Sequence, residues 1–117
     1  YNLGSGYRAM NKLLARDAGF TAVFCMSDIM AVGAMRALTD AGLRVPQDIS
    51  VLGFDGIELG QYAVPRLATV SQPQQEIADQ SVALLLGQIE KAAPPQTRVV
   101  STGLLEGESV ASVTSDI

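Results

Sequence analysis

Histidine is absent from this sequence, cysteine occurs once, as Cys25, and aromatic residues make up only 5% of the chain. Without histidine the commonest general base is missing, and so is a principal metal ligand. Histidine-dependent catalysis is therefore excluded, and no metal or cofactor is expected. A lone cysteine rules out an internal disulfide. Within the apolar run from Thr21 to Met26 it reads as a small buried residue and not a redox centre, which suits a reducing cytoplasm. Basic residues are few and scattered: 8 Lys and Arg stand against 12 Asp and Glu, a formal net charge of -4. Nothing resembles the clustered cationic footprint that a phosphate backbone requires, so this segment is not expected to bind nucleic acid itself. The first residues do not read as an export leader, and no apolar stretch approaches the length that crosses a bilayer. Neither export nor membrane insertion is expected.

What remains is 117 residues of 48% hydrophobic composition, enough for one modest core, and the expectation is one domain or part of one. Tyr1 follows no initiator methionine, and the residues after it already lead into a helical pattern, as in a piece of a longer polypeptide. Ser5 or Gly6 can open that helix, whose apolar face is Tyr7, Met10, Leu13 and Leu14, with Gly19 as its stop. Thr21 to Met26 reads as a strand covered on both faces. Asp28 is placed to cap a helix through Met30, Val32, Met35 and Leu38 that ends at Gly42. Ile49 to Phe54 is a second buried-type strand, closed by the turn Asp55-Gly56. Leu67 to Val70 and Val99 to Leu105 are the remaining strand segments. Between them Pro73 fits the first turn of a helix carrying Ile77, Val82, Leu85 and Ile89.

Helices alternating with continuous apolar strands predict an α/β domain with a parallel sheet in a three-layer sandwich. Ligands gather beyond the carboxyl ends of such strands, which singles out Ser27-Asp28 and Asp55-Gly56. The glycine spacings fit neither a Rossmann nor a P-loop phosphate cradle. Carboxyl and hydroxyl groups at these ends suit hydrogen bonding to a hydroxylated small molecule. On residue chemistry alone, Asp28 is a helix cap, Asp55 an ordinary Asp-Gly turn residue, and Ser27 either a pocket residue or a solvated neighbour of the cap.

Three successive blocks are more specific. They are Thr21-Ala-Val-Phe-Cys-Met-Ser-Asp28, then Met30-Ala-Val-Gly-Ala-Met-Arg-Ala-Leu38, then Gly42-Leu-Arg-Val-Pro-Gln-Asp-Ile-Ser-Val-Leu-Gly-Phe-Asp55. With Tyr62, Pro65, Leu67, Thr69-Val70 and Gln72-Pro73 in order behind them, the chain resembles the lactose-repressor/galactose-repressor family of transcription regulators from about Gly6 to Val113. The resemblance implies a partial periplasmic-binding-protein-like domain of type I. Residues 1–117 would be the carboxy-terminal portion of an effector-binding and dimerisation domain, without the DNA-binding head. It further implies an effector such as a sugar, nucleoside or related metabolite, and a cytoplasmic homodimer that reaches operator DNA through a missing amino-terminal domain.

By the same resemblance Asp55 bonds effector hydroxyls, Ser27 occupies a polar pocket position, and Val32 and Tyr62 lie at the dimer interface. Two positions depart from the family pattern. Ala68 replaces a usual threonine, and Gly107 replaces a usual arginine on the closing strand, which puts any salt bridge from that arginine in doubt. The helix after Pro73 would belong to the other subdomain, so here it either packs on a neighbouring chain or exposes an apolar patch. A soluble sugar-binding protein for transport shares the fold and is the alternative reading. An enzyme using Asp28 or Asp55 as a base is the weakest.

Overall fold

In the computed structural model, which describes residues 1–113, the first helix α1 runs Leu3–Ala15. Its start is Asn2 and not Ser5 or Gly6. The Asn2 side chain accepts the Ser5 amide at 2.7 Å while the Ser5 hydroxyl accepts the Asn2 amide at 3.0 Å, a reciprocal cap that sequence reading placed too late. After a turn comes β1, Ala22–Phe24, then α2, Asp28–Asp40. That helix closes where expected. The Leu43 amide reaches back to the Leu38 carbonyl at 2.9 Å and the Gly42 amide to Thr39 at 3.0 Å, the paired bonds that follow a helix whose cap residue, here Ala41, precedes a glycine. The Tyr7 hydroxyl donates to Asp40 at 2.8 Å and ties the two helices together.

The next elements are β2 (Ser50–Asp55), the short α3 (Glu58–Gln61), β3 (Ala68–Ser71), α4 (Gln74–Lys91) and β4 (Gly103–Leu105). The sheet order is β1-β2-β3-β4, with β1 and β3 both parallel to β2. Cα partners run from Ala22 opposite Ser50 to Phe24 opposite Leu52, and from Leu52 opposite Ala68 to Asp55 opposite Ser71. The expected last strand from Val99 is confined to Gly103–Leu105.

Two units make up the described chain, residues 1–71 with 104 onward, and residues 72–103. In the first, Met10, Ala31, Leu38, Val51 and Leu67 form the buried centre between the helices and one face of the sheet. The expectation that β1 is covered on both faces does not hold within this chain. Phe24 is 58% exposed and, with Ala22, Leu52, Ala68 and Leu104, borders an open concavity of about 700 Å³ on the other sheet face. The physical reason is periodicity of two: Val23 and Val51 point to the helices while their neighbours point away.

The segment after β4 fastens this unit. Ser109 is fully buried; its hydroxyl donates to the Val51 carbonyl at 2.6 Å and accepts the Ala68 amide at 2.8 Å, and its carbonyl accepts the Val51 amide at 2.8 Å. Gly107 runs so close to the chain before β3 that a Cβ there would lie 2.6 Å from the Ala68 nitrogen and the Arg66 oxygen. A side chain at this position would have to displace that backbone. In the second unit, α4 begins one residue after Pro73, and none of its residues is buried; Val82, Leu85, Leu86 and Ile89 are exposed. Residues 114–117 of the expected 1–117 domain lie outside the described residues.

Candidate functional site

Parallel pairing brings the carboxyl ends of β1, β2 and β3 to one edge of the sheet, so residues far apart in sequence meet there. Ser27 leaves β1 in extended conformation and caps α2, its hydroxyl accepting the Met30 amide at 3.2 Å. It is buried, and a hydroxyl used as an acceptor retains its own proton to donate. The cap thus belongs to Ser27 and not to Asp28, which the sequence had assigned to it. Sequence reading misplaced the cap by one residue because either side chain type suits it.

Asp28 occupies the first turn of α2 with no solvent exposure, and its carboxyl group points back under the sheet edge. Oδ2 accepts the amides of Gly56 at 2.9 Å and Ile57 at 2.8 Å; Oδ1 accepts the Thr69 hydroxyl at 2.6 Å. Three donors replace the water this buried carboxyl group gives up, and an acidic group in the first turn also complements the helix dipole. Gly53 makes the arrangement possible, since a side chain there would occupy the space of Oδ1. Thr69 and Gly53 face each other in the β2–β3 register, so one strand supplies the hydroxyl and the other the room.

Asp55 ends β2, half-buried, with φ of 130°. Few non-glycine residues adopt that backbone, and it persists where surrounding structure imposes it, commonly at ligand sites. The structure therefore places Asp55 and Ser27 at the same sheet edge. It also gives Asp55 a conformational peculiarity that the Asp-Gly turn reading did not foresee. Thr69 and Gly53 are the participants that sequence reasoning left without a role. The only available signal was a hydroxyl and a glycine interrupting otherwise apolar strands.

The other two expected site residues lie elsewhere. Val32, half-buried on α2, borders a shallow apolar groove with Leu3, Tyr7 and Arg36, while Tyr62 follows α3 and is 80% exposed. Cys25, at the end of β1, is buried, and desolvation pushes its thiol from the ordinary 9.0 up to about 11, which makes it a poor nucleophile. Among the described residues no cluster of three or more His, Cys, Asp and Glu could hold a metal, and no helix is long and apolar enough to cross a membrane.

Residues 1–110 match the family described as periplasmic binding protein-like domain. The chain is 46% identical over 108 residues to an HTH-type transcriptional repressor, PurR, of Yersinia enterocolitica, a match covering 92% of this chain and 32% of that protein. Among solved structures, the dimeric Lac repressor with an 11-residue C-terminal deletion superposes with a TM-score of 0.89 at 31% identity, covering 97% of this chain and 42% of the other. A complex of the transcriptional regulator CelR with cellobiose superposes with a TM-score of 0.87 at 34% identity, covering 93% of this chain and 34% of the other. The chain spans about a third of the length of the curated relatives it matches. These relatives are named as transcriptional regulators and repressors.

Proposed function

Because the chain belongs to the periplasmic binding protein-like domain family, in the form carried by lactose-repressor-type transcription regulators, we propose that it is the effector-sensing and dimerisation part of a bacterial transcription regulator. The observation that carries this reading is Asp55, set at the carboxyl end of β2 on a positive-φ backbone, at the same sheet edge as the capping Ser27. An acidic acceptor and a hydroxyl at a strand edge suit a polyhydroxylated ligand, and a relative of this fold is named in complex with cellobiose. The effector is a sugar, nucleoside or related metabolite that contacts Asp55 and Ser27.

Residues 1–117 act as the carboxy-terminal portion of that sensing domain. The partners are a second copy of the protein, met through Val32 and Tyr62, and operator DNA, met through an amino-terminal domain of the full-length protein. Such a regulator works in the cytoplasm, on chromosomal DNA. Effector binding biases an equilibrium between conformations of the sensing domain, and that bias changes DNA affinity. The transport reading finds no support among relatives that are named as regulators and repressors.

The experiment is a titration of the full-length protein against DNA upstream of its own gene, in the presence of a panel of sugars, nucleosides and nucleobases. One member should change DNA affinity by roughly 5- to 150-fold, the usual range of allosteric coupling. A protein that binds a sugar tightly but no DNA, and whose gene encodes an export leader, would return the reading to transport.

A further inference from the structure

We propose that Asp28 is a positioning residue for the effector site: its buried carboxyl group holds Asp55 in the positive-φ conformation that presents the Asp55 side chain. The inference rests on the reading above, in which Asp55 meets the ligand. Asp55 is fixed from both directions. Before it, pairing of β2 with β3 sets the backbone as far as the Asp55–Ser71 partners. After it, the next two amides, of Gly56 and Ile57, both point at Oδ2 of Asp28. The Gly56 amide belongs to the planar peptide group that starts at the Asp55 carbonyl, so with the preceding peptide group held by the ladder, anchoring this one constrains φ and ψ of Asp55 together. Between the ladder on one side and the anchor on the other, Asp55 takes φ of 130°.

Asp28 is itself held in place. Its Oδ1 receives the Thr69 hydroxyl, and the missing side chain at Gly53 leaves room for it. Thr69 lies on the strand beside β2, so β3 fixes the carboxyl group, the carboxyl group fixes the turn, and the turn aims Asp55. A brace that served only the core would not need its two backbone donors at the residues directly following the ligand-facing aspartate. Asp28 has no exposure to solvent, so its effect on recognition passes through Asp55.

The test uses the full-length protein carrying Asp28→Ala, Asp28→Asn, Thr69→Val or Thr69→Ser. The readouts are the crystallographic φ of Asp55, amide hydrogen exchange at Gly56 and Ile57, and thermal melting. Asp28→Ala and Thr69→Val are expected to speed exchange at both amides tenfold or more and to move Asp55 out of the positive-φ region. Asp28→Asn, which keeps an oxygen for the two amides, and Thr69→Ser, which keeps the hydroxyl, are expected to retain the wild-type φ. An Asp55 φ that stays near its present value in Asp28→Ala overturns the proposal, and a lowered melting temperature would then mark Asp28 as a core brace only. If Asp28→Ala does not fold, the Thr69→Val and Thr69→Ser pair decides by the same criterion. None of these readouts requires a known effector. A failure to find one would count against the sensing function and leave this result standing, and the reverse also holds.

Discussion

Asp28 and Thr69, 41 residues apart, meet at 2.6 Å beneath the sheet edge, and the strand lying between their elements carries glycine at the point of passage. This one contact links α2, β2 and β3, which ties the geometry of the site to the packing of the whole first unit.

Gly53→Ala should therefore act at a distance. Its methyl group would enter the space of the Asp28 carboxyl oxygen and come within 2.9 Å of the Leu67 side chain. Overpacking of this kind costs about 1–3 kcal/mol. Denaturant unfolding should show that loss, and amide exchange at Gly56 and Ile57 should rise with it.

Asp55→Ala in the full-length protein should weaken effector binding by about 1–3 kcal/mol, the cost of leaving a ligand hydroxyl unpaired. Isothermal titration checks this, and unchanged affinity would remove Asp55 from the site. Asp55→Gly should bind as poorly yet melt higher than Asp55→Ala, by about 1 kcal/mol in stability, because glycine accepts a positive φ that alanine resists.

Gly107→Arg, the residue expected here from the family resemblance, should destabilise this chain. The backbone of Arg66, Leu67 and Ala68 lies 2.6 Å from where its Cβ would sit, and backbone does not yield as a side chain end would. A lower thermal midpoint is expected, corresponding to about 1–3 kcal/mol. An unchanged midpoint would mean that the closing segment shifts freely.

Burial raises the Cys25 thiol from 9.0 to about 11, so the folded state keeps its proton where the unfolded state has lost it. The contribution to stability is thus fully present below pH 9 and declines as the pH climbs towards about 11. Urea midpoints across that window should fall for the native chain and stay flatter for Cys25→Ala. At neutral pH the folded protein should resist alkylation that the unfolded protein undergoes readily.

The sequence exposed the α/β plan because each buried strand is a short apolar block and each intervening helix has its own period and stop. Val51 and Leu67 could be read as core, and Gly42 as a terminator, from local pattern alone. The Asn2 cap was missed because a helix start written in asparagine and serine competes with the glycines beside it. The role of Asp28 was missed for a different reason. Its three donors come from residues 28, 29 and 41 positions away, and local spacing carries no trace of them. The coverage of β1 was overestimated because an apolar run specifies that a residue prefers burial, not which partner provides it. Asp55 was singled out by resemblance, and its unusual backbone became visible only once Gly56 and Ile57 were placed.

The anchoring of Ser109 also bears on the order of events as the protein is made. The Val51 carbonyl and the Ala68 amide, on neighbouring strands, both wait for a hydroxyl that leaves the ribosome after nearly all of the described chain. Until synthesis has passed that serine, these two groups and the Val51 amide, which meets the Ser109 carbonyl, stand unanswered, a state that favours holding the nascent chain open over early closure. Within this unit the sheet is therefore completed only once the segment after β4 has been made, and a ribosome stalled just short of Ser109 would carry it unfinished.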